Sequence, residues 1–371
     1  MSNLKEIGAV FFKLGLVAFG GPAAHIAMME EEVVEKRKWM TREHFLDLVG
    51  ATNLIPGPNS TEMTMHCGYD RGGIAGLFVA GITFIFPAVV LTGLLGYFYV
   101  EYGELPAIAP FLYGIKPAVL AIILGAIYKL GKKALKGWKL GVIGVIVLVA
   151  NAMGVNEIFS ILGGGVLGML WAGAISQKSL KSFFPIMLLG FFSTTTQITT
   201  AKLFWVFFKV GAVLFGSGYV LVAYLDGELV QQLGWLTRAE LLDAIAIGQF
   251  TPGPVLSTAT FIGYQINGWQ GAIAATVGIF LPSFFFVWIL NPLIPKLRSS
   301  KITAAFLDAV NISAVAIMVV VTFQLGQSVL IDWKAWFIAI LSAIVFFGWK
   351  KMNVLYLIFG SAILGYLLSL I

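Results

Sequence analysis

Cysteine is nearly absent from this chain. Cys67 stands alone in 371 residues, which excludes a disulfide framework and any zinc site built on thiolates. Histidine is almost as scarce: His25, His44 and His66 all fall in the first half, none at metal-motif spacing, and no His-Glu-x-x-His occurs. An intramembrane hydrolase, which needs a nucleophile with its base or a bound metal, is therefore the weaker alternative, and no cofactor is expected. Charge is the third shortage. Asp, Glu, Lys and Arg make up 11% of the chain, and no stretch is polar for long enough to form a separate soluble domain. The net charge of +6 does not point to nucleic acid, because Lys and Arg gather in loops beside apolar runs.

What the chain has instead is apolar sequence: 59% of its residues, with a mean hydropathy of +0.92. That composition reads as an all-α polytopic membrane protein embedded in the lipid bilayer. Lys5 ahead of an apolar run resembles a signal peptide, but Lys13 interrupts the run and the same segment recurs downstream, which argues against cleavage.

The recurrence is general. An offset of 196 carries Phe11-Phe12-Lys13 onto Phe207-Phe208-Lys209, Glu32 onto Glu228, Trp39 onto Trp235, Arg42 onto Arg238, and Pro56-Gly57-Pro58 onto Pro252-Gly253-Pro254. After a one-residue deletion an offset of 195 matches Gly68-Tyr69 to Gly263-Tyr264, Gly73 to Gly268 and Pro87 to Pro282. Ordered matches that include charged and aromatic residues mark a tandem duplication. The boundaries read as 1–182 for the first repeat, 183–200 for a connecting transmembrane segment and 201–371 for the second repeat. Six apolar segments in each repeat and one between them give about thirteen.

An odd segment between the copies should invert the second, and the charges agree. In the first repeat the loop after the fourth segment carries Lys129, Lys132, Lys133, Lys136 and Lys139, while the loop after the third holds Glu101 and Glu104. In the second repeat the loop after the third segment is basic, with Lys296, Arg298 and Lys301, and the one after the fourth has only Lys334. The positive-inside rule then places the N-terminus in the cytoplasm and the C-terminus outside. Lys36-Arg37-Lys38 with Arg42 also belongs inside. That fits if the first two segments are re-entrant hairpins, broken at Gly20-Gly21-Pro22 and Pro56-Gly57-Pro58; an interfacial helix over 30–44 is the plainer alternative. Arg42 with Asp47, and Arg238 with Asp243, are close enough along a helix to pair.

Inverted repeats with helices interrupted at matching positions are a transporter architecture, with the substrate bound where the repeats meet. Proline removes a backbone donor and glycine opens conformations a helix cannot use, so each Pro-Gly-Pro breaks its segment and frees backbone groups toward a site. Helix N-termini offer unpaired N–H groups that suit an anion. Asn59 and Ser60 follow the first break and Ser257 follows the second; simple helix capping explains any one of them equally well. Lys13 and Lys209, each inside an apolar run, add cations at related positions, unless they snorkel to the interface. The candidate substrate residues are thus Lys13, Gly20, Gly21, Pro56, Gly57, Pro58, Asn59, Ser60, Lys209, Gly216, Pro252, Gly253, Pro254 and Ser257. Glu62, replaced by Thr258 in the other repeat, either carries a coupling proton or pairs with His66 one turn on or with a lysine.

Phe19-Gly20-Gly21-Pro22, the run from Glu32 to Trp39, and Pro56-Gly57-Pro58 followed by Gly68-Tyr69, all duplicated, resemble the chromate ion transporter family in its long, two-domain form. The resemblance covers nearly the whole chain; Ser217-Gly218 replaces Gly21-Pro22 in the second copy. It implies a multi-pass protein of a prokaryotic plasma membrane that expels chromate on the proton-motive force, with sulfate as a similar oxyanion. A carrier of sulfate or a small carboxylate is the alternative within transport. The partners expected are the oxyanion and the bilayer, and a homodimer is compatible with the sequence.

Overall fold

The computed structural model describes residues 2–19, 22–52, 55–103, 105–171, 198–215, 218–291, 301–349 and 354–371. Gly20, Gly21 and Gly216 lie outside the described residues, as do most of the connecting segment expected at 183–200 and the loop charges Glu104, Lys296 and Arg298. Among the described residues the chain is helical, with no strand.

The first repeat begins with α1 (Ser2–Val17), stops at the glycine pair, and resumes at α2 (Pro22–Glu30). Proline opens α2 because a first-turn N–H has no intrahelical partner to lose. A π-helical stretch (Glu31–Lys36) brings the chain back beside its start, where the Arg37 guanidinium donates to Glu6 at 2.9 Å. Next, α3 (Arg42–Thr52) enters, the chain breaks at Pro56-Gly57-Pro58, and α4 (Asn59–Tyr102) returns. His44 near the start of α3 meets Asp70 of α4, and Arg71 reaches Glu6 at 3.3 Å. Residues 6, 37, 44, 70 and 71 therefore share one end of the molecule. Both segments are hairpins that go in and come back, which returns Arg37 to the end where α1 begins. Eleven residues of α3 rise only about 16 Å, roughly half a hydrocarbon core, so neither arm of this hairpin crosses alone.

The returning arm of the second segment and the whole third segment lie in one helix, α4. α4 is two arms folded on each other at Gly72-Gly73, where Gly73 has φ +61°, a left-handed conformation. A Cβ on Gly68 would run into the Gly76 carbonyl and Ala80, so the short arm can double back only because that face is bare. The long arm, 74–102, then crosses beside α1: Gly8 faces Val79 and Thr83, and Gly15 faces Phe84. It is followed by α5 (Ala109–Ala134), α6 (Trp138–Ala152) and α7 (Glu157–Trp171).

The second repeat copies this plan with α8 (Thr200–Val213), α9 (Leu221–Leu225) extended by a π-helical stretch (Asp226–Gln232), α10 (Arg238–Phe250) and α11 (Thr258–Leu290). The fold in α11 falls at Asn267-Gly268, with Gly268 at φ +55°, matching Gly73. Then come α12 (Lys301–Val329), α13 (Trp333–Gly348) and α14 (Val354–Ser369). Among the described residues, four helices, Asn59–Tyr102, Ala109–Ala134, Val255–Ile289 and Ala304–Val329, are long and apolar enough to cross a membrane, and α6, α7, α13 and α14 are shorter apolar helices.

The two long arms pack against each other in opposite directions. Phe78 stacks on Phe284 with ring centroids 5.3 Å apart, whereas Gly93 faces Trp269. Each long arm runs parallel to the first helix of its own repeat, so α1 and α8 start at opposite ends. The repeats are inverted. Their surroundings differ, however. α10 is buried against α5, α12 and α14, and its Asp243 receives the Tyr99 hydroxyl at 2.7 Å and the Lys116 ammonium at 3.2 Å. α3 packs on α2 and α4, and leaves Arg42, Glu43, His44 and Asp47 exposed.

Candidate functional site

The four breaks meet in two crossings, each joining one repeat to the other. After α1, the Ala18 carbonyl accepts the N–H of Gly253 at 2.9 Å; after α8, the Leu214 carbonyl accepts the N–H of Gly57 at 2.7 Å. The offset of 196 carries Ala18 onto Leu214 and Gly57 onto Gly253, so the two bonds are symmetry mates. Helix ends leave backbone groups unspent, and here each repeat satisfies part of the other's deficit. Gly57 has φ +140° and Gly253 φ +86°, conformations that L side chains rarely adopt. Pro58 and Pro254 follow in extended geometry and have no N–H to give.

Chemically the crossings are unequal. At Gly57 a Cβ would collide with the Glu62 carboxylate and with the hydroxyl of Ser283, which reaches over from α11. At Gly253 it would meet the Ala88 methyl at 3.0 Å and the Gly15 carbonyl at 3.3 Å. Thr258 and Ala88 occupy the positions related to Glu62 and Ser283, so one crossing carries an acid and a hydroxyl where the other has a threonine and a methyl.

Several polar atoms here are buried and unspent. Both oxygens of Glu62 and the hydroxyls of Thr61, Ser257 and Ser283 have no hydrogen-bond partner among the described residues, and all four side chains are fully buried. Buried polar groups are nearly always paired, by protein, water or ligand, and an unpaired one costs roughly 1–3 kcal/mol. Their neighbours are spent locally: the Thr64 hydroxyl donates to the Ser60 carbonyl at 3.0 Å, and that of Thr258 to the Val255 carbonyl at 2.7 Å. Of these, the Glu62 carboxylate and the Ser283 hydroxyl come together beside Gly57, and that spot is one that water or a small polar ligand would complete.

The crossings bring Pro56, Gly57, Pro58, Asn59 and Ser60 together with Leu214, and Pro252, Gly253, Pro254 and Ser257 together with Ala18. Lys13 and Lys209 are held elsewhere: the Lys13 ammonium lies 3.4 Å from Glu32, and that of Lys209 lies 2.5 Å from Glu228. These pairs map onto each other, as do Arg42 with Glu30 at 2.8 Å and Arg238 with Asp226 at 3.3 Å. Arg238 thus pairs back across its hairpin and not with Asp243, the neighbour suggested by helical spacing. Glu62 takes neither His66 nor a lysine as partner; His66 instead shares its Nδ1 with Asn291 at 3.0 Å. Ser283 was not apparent as a site residue, although the exchange of Ala88 for Ser283 just after the matched prolines Pro87 and Pro282 was visible in the repeat.

A family model described as "Chromate transporter" matches residues 5–169 and again 201–366. The chain belongs to the chromate transporter family. It is 31% identical over 360 residues to a probable chromate transport protein of Synechococcus elongatus, covering 94% of this chain and 90% of the relative. With the chromate transport protein of Cupriavidus metallidurans it shares 30% identity, covering 98% and 92%. An uncharacterized transporter of Methanocaldococcus jannaschii is 29% identical, covering 96% and 92%. No solved structure matches the chain. Membership of the chromate transporter family makes the protein a transporter rather than an enzyme, and the twofold match follows the same halves as the inverted fold.

Proposed function

We propose that this protein exports chromate across a prokaryotic plasma membrane, binding the oxyanion where the two repeats cross. The observation that carries this reading is the set of buried, unspent polar atoms of Thr61, Glu62, Ser257 and Ser283 beside the broken helices. The N-terminal end of α4, with Ser60 in its first turn, turns the positive end of a helix dipole toward the anion. Lys13 and Lys209 stay paired with Glu32 and Glu228 in this reading and leave the anion to the groups at the crossing. The proposed repeats are 1–182 and 201–371, joined by a crossing segment at 183–200, with the N-terminus cytoplasmic and the C-terminus external.

Glu62 is the coupling group in this reading. Ionised, it repels a dianion; protonated, it becomes a hydrogen-bond donor to one of the anion's oxygens, so a proton and an anion occupy the site together. Export then remains downhill. With the interior negative by 100 mV each elementary charge is worth about 2.3 kcal/mol, so a dianion leaving with one proton still gains roughly that amount. The membrane potential, rather than the pH gradient, drives the cycle.

The test is flux in proteoliposomes with an imposed potential, using labelled chromate and labelled sulfate in parallel. Chromate should leave the negative compartment several-fold faster than sulfate, and a pH dye should register protons moving with it. Sulfate moving faster than chromate would make the protein a carrier of a different oxyanion, and flux toward the negative side would overturn export.

A further inference from the structure

We infer that Glu62 receives its proton through a private route along one face of the short arm of α4, by way of His66 and Asp70, with His44 as the outer collector. The inference rests on the reading of Glu62 as the coupling group and adds where the proton comes from. Glu62, His66 and Asp70 are spaced four residues apart, which places them on one helical face as successive neighbours about 5–6 Å apart at Cβ. Their environment changes steadily along that line. Glu62 and His66 are fully buried, Asp70 is exposed, and Asp70 is joined to the exposed ring of His44 from α3. Intramembrane chains of acid and histidine are the usual material of proton relays, because each costs too much in an apolar span to persist there without a partner or a use.

The histidine is set up to take part. Asn291, at the end of α11, accepts from Nδ1 of His66, which leaves Nε2 as the basic nitrogen, and this atom has no partner among the described residues. A proton taken from water by Asp70 or His44 passes to Nε2 of His66 and makes an imidazolium. The ring returns to neutral when the proton moves on to the Glu62 carboxylate. The groups facing the route from other elements are few. α11 presents Ser283 at Glu62 and Asn291 at His66, both uncharged. α2 presents Met29, which takes the Thr64 hydroxyl, while its His25 ring lies against Phe84 of the long arm. α1 presents Glu6, held by Arg37 and Arg71 beside the outer end.

The second repeat has no such line. Thr258 stands in place of Glu62, Phe261 and Ile262 stand in the region of His66, Gln265 replaces Asp70, and Glu240 replaces His44. One route in an inverted pair opens to one side only, the end where α1 begins.

The experiment measures chromate-dependent proton flux in proteoliposomes with wild type, His66→Gln, Asp70→Asn and the second-repeat control Gln265→Ala, each checked for thermal unfolding. His66→Gln is expected to slow proton flux at least tenfold. Asp70→Asn should slow it several-fold in dilute buffer and recover in concentrated imidazole added on the α1 side, because a mobile base can replace an exposed collector but not a buried relay. Gln265→Ala should match wild type. Wild-type proton flux in both His66→Gln and Asp70→Asn, or a deficit in Asp70→Asn that imidazole does not relieve, would overturn the route. Wild-type protein that moves chromate without protons would instead overturn the coupling role of Glu62.

Discussion

Gly57→Ala is the substitution whose consequence can be worked out most fully. Glycine is held there at φ +140°, and an alanine forced into such a region costs about 1–3 kcal/mol. Its Cβ would also enter the space of the Glu62 carboxylate and the Ser283 hydroxyl, so the break must shift and the bond from the Gly57 N–H to Leu214 is strained or lost, about 0.5–1.5 kcal/mol more. If the total of roughly 1.5–4.5 kcal/mol falls on the transport-competent state, flux drops by about ten-fold to two-thousand-fold. Chromate flux in proteoliposomes, with membrane level and thermal unfolding measured alongside, reads this directly. Adding Ser283→Ala removes one of the two colliding atoms, so the double variant should recover part of the lost thermal stability though not the flux, a coupling that distant, independent sites would not show. Gly57→Ala transporting within twofold of wild type at a normal membrane level would refute the reasoning.

Three further expectations follow from the packing. Lys209 is 28% exposed in its pair with a buried Glu228, whereas Lys13 is 66% exposed, so Lys209→Ala should lower the unfolding temperature clearly more than Lys13→Ala; equal effects would contradict the buried pair. Cysteines placed at Phe78 and Phe284 in a Cys67→Ser background should cross-link under mild oxidation, and those at Phe78 and Trp269 should not; the reverse pattern would mean that the long arms run the same way. A reporter fused after Ile371 should read external and one before Met1 cytoplasmic, and matching locations at both ends would contradict the odd number of crossings.

Local chemistry was easy to read from the chain and long-range pairing was not. The breaks at Pro56-Gly57-Pro58 and Pro252-Gly253-Pro254 follow from the residues themselves, since proline and glycine act on their own backbone. The hairpins were one of two arrangements compatible with Lys36, Arg37 and Lys38, and the charges did not choose between them. The partner of Lys13, nineteen residues on at Glu32, depends on the angle at which α2 leaves the first break, and spacing says nothing about that angle. Arg238 had a plausible neighbour in Asp243 one helical turn away, but the buried Asp226 across the hairpin took it, and Asp243 was left to Lys116 and Tyr99 of the other repeat. The crossings themselves, Ala18 with Gly253 and Leu214 with Gly57, exist only once two distant copies are packed in opposite directions. Their symmetry was implicit in the duplication, but the choice of partners was not. The short arm of α4 was legible as the helix that follows Pro56-Gly57-Pro58, but the burial of its Thr61, Glu62, Thr64 and His66 depends on packing that spacing does not reveal.

The central claim, that the anion sits where the repeats cross, is tested most directly by locating the substrate. Anomalous difference density for chromium in crystals of the protein grown with chromate should place the anion beside Ser283 and the start of α4, with its oxygens and not the metal in hydrogen-bonding range of the hydroxyls, and the peak should vanish in Gly57→Ala. A chromium peak beside Lys13 or Lys209 and away from both Pro-Gly-Pro breaks would contradict it.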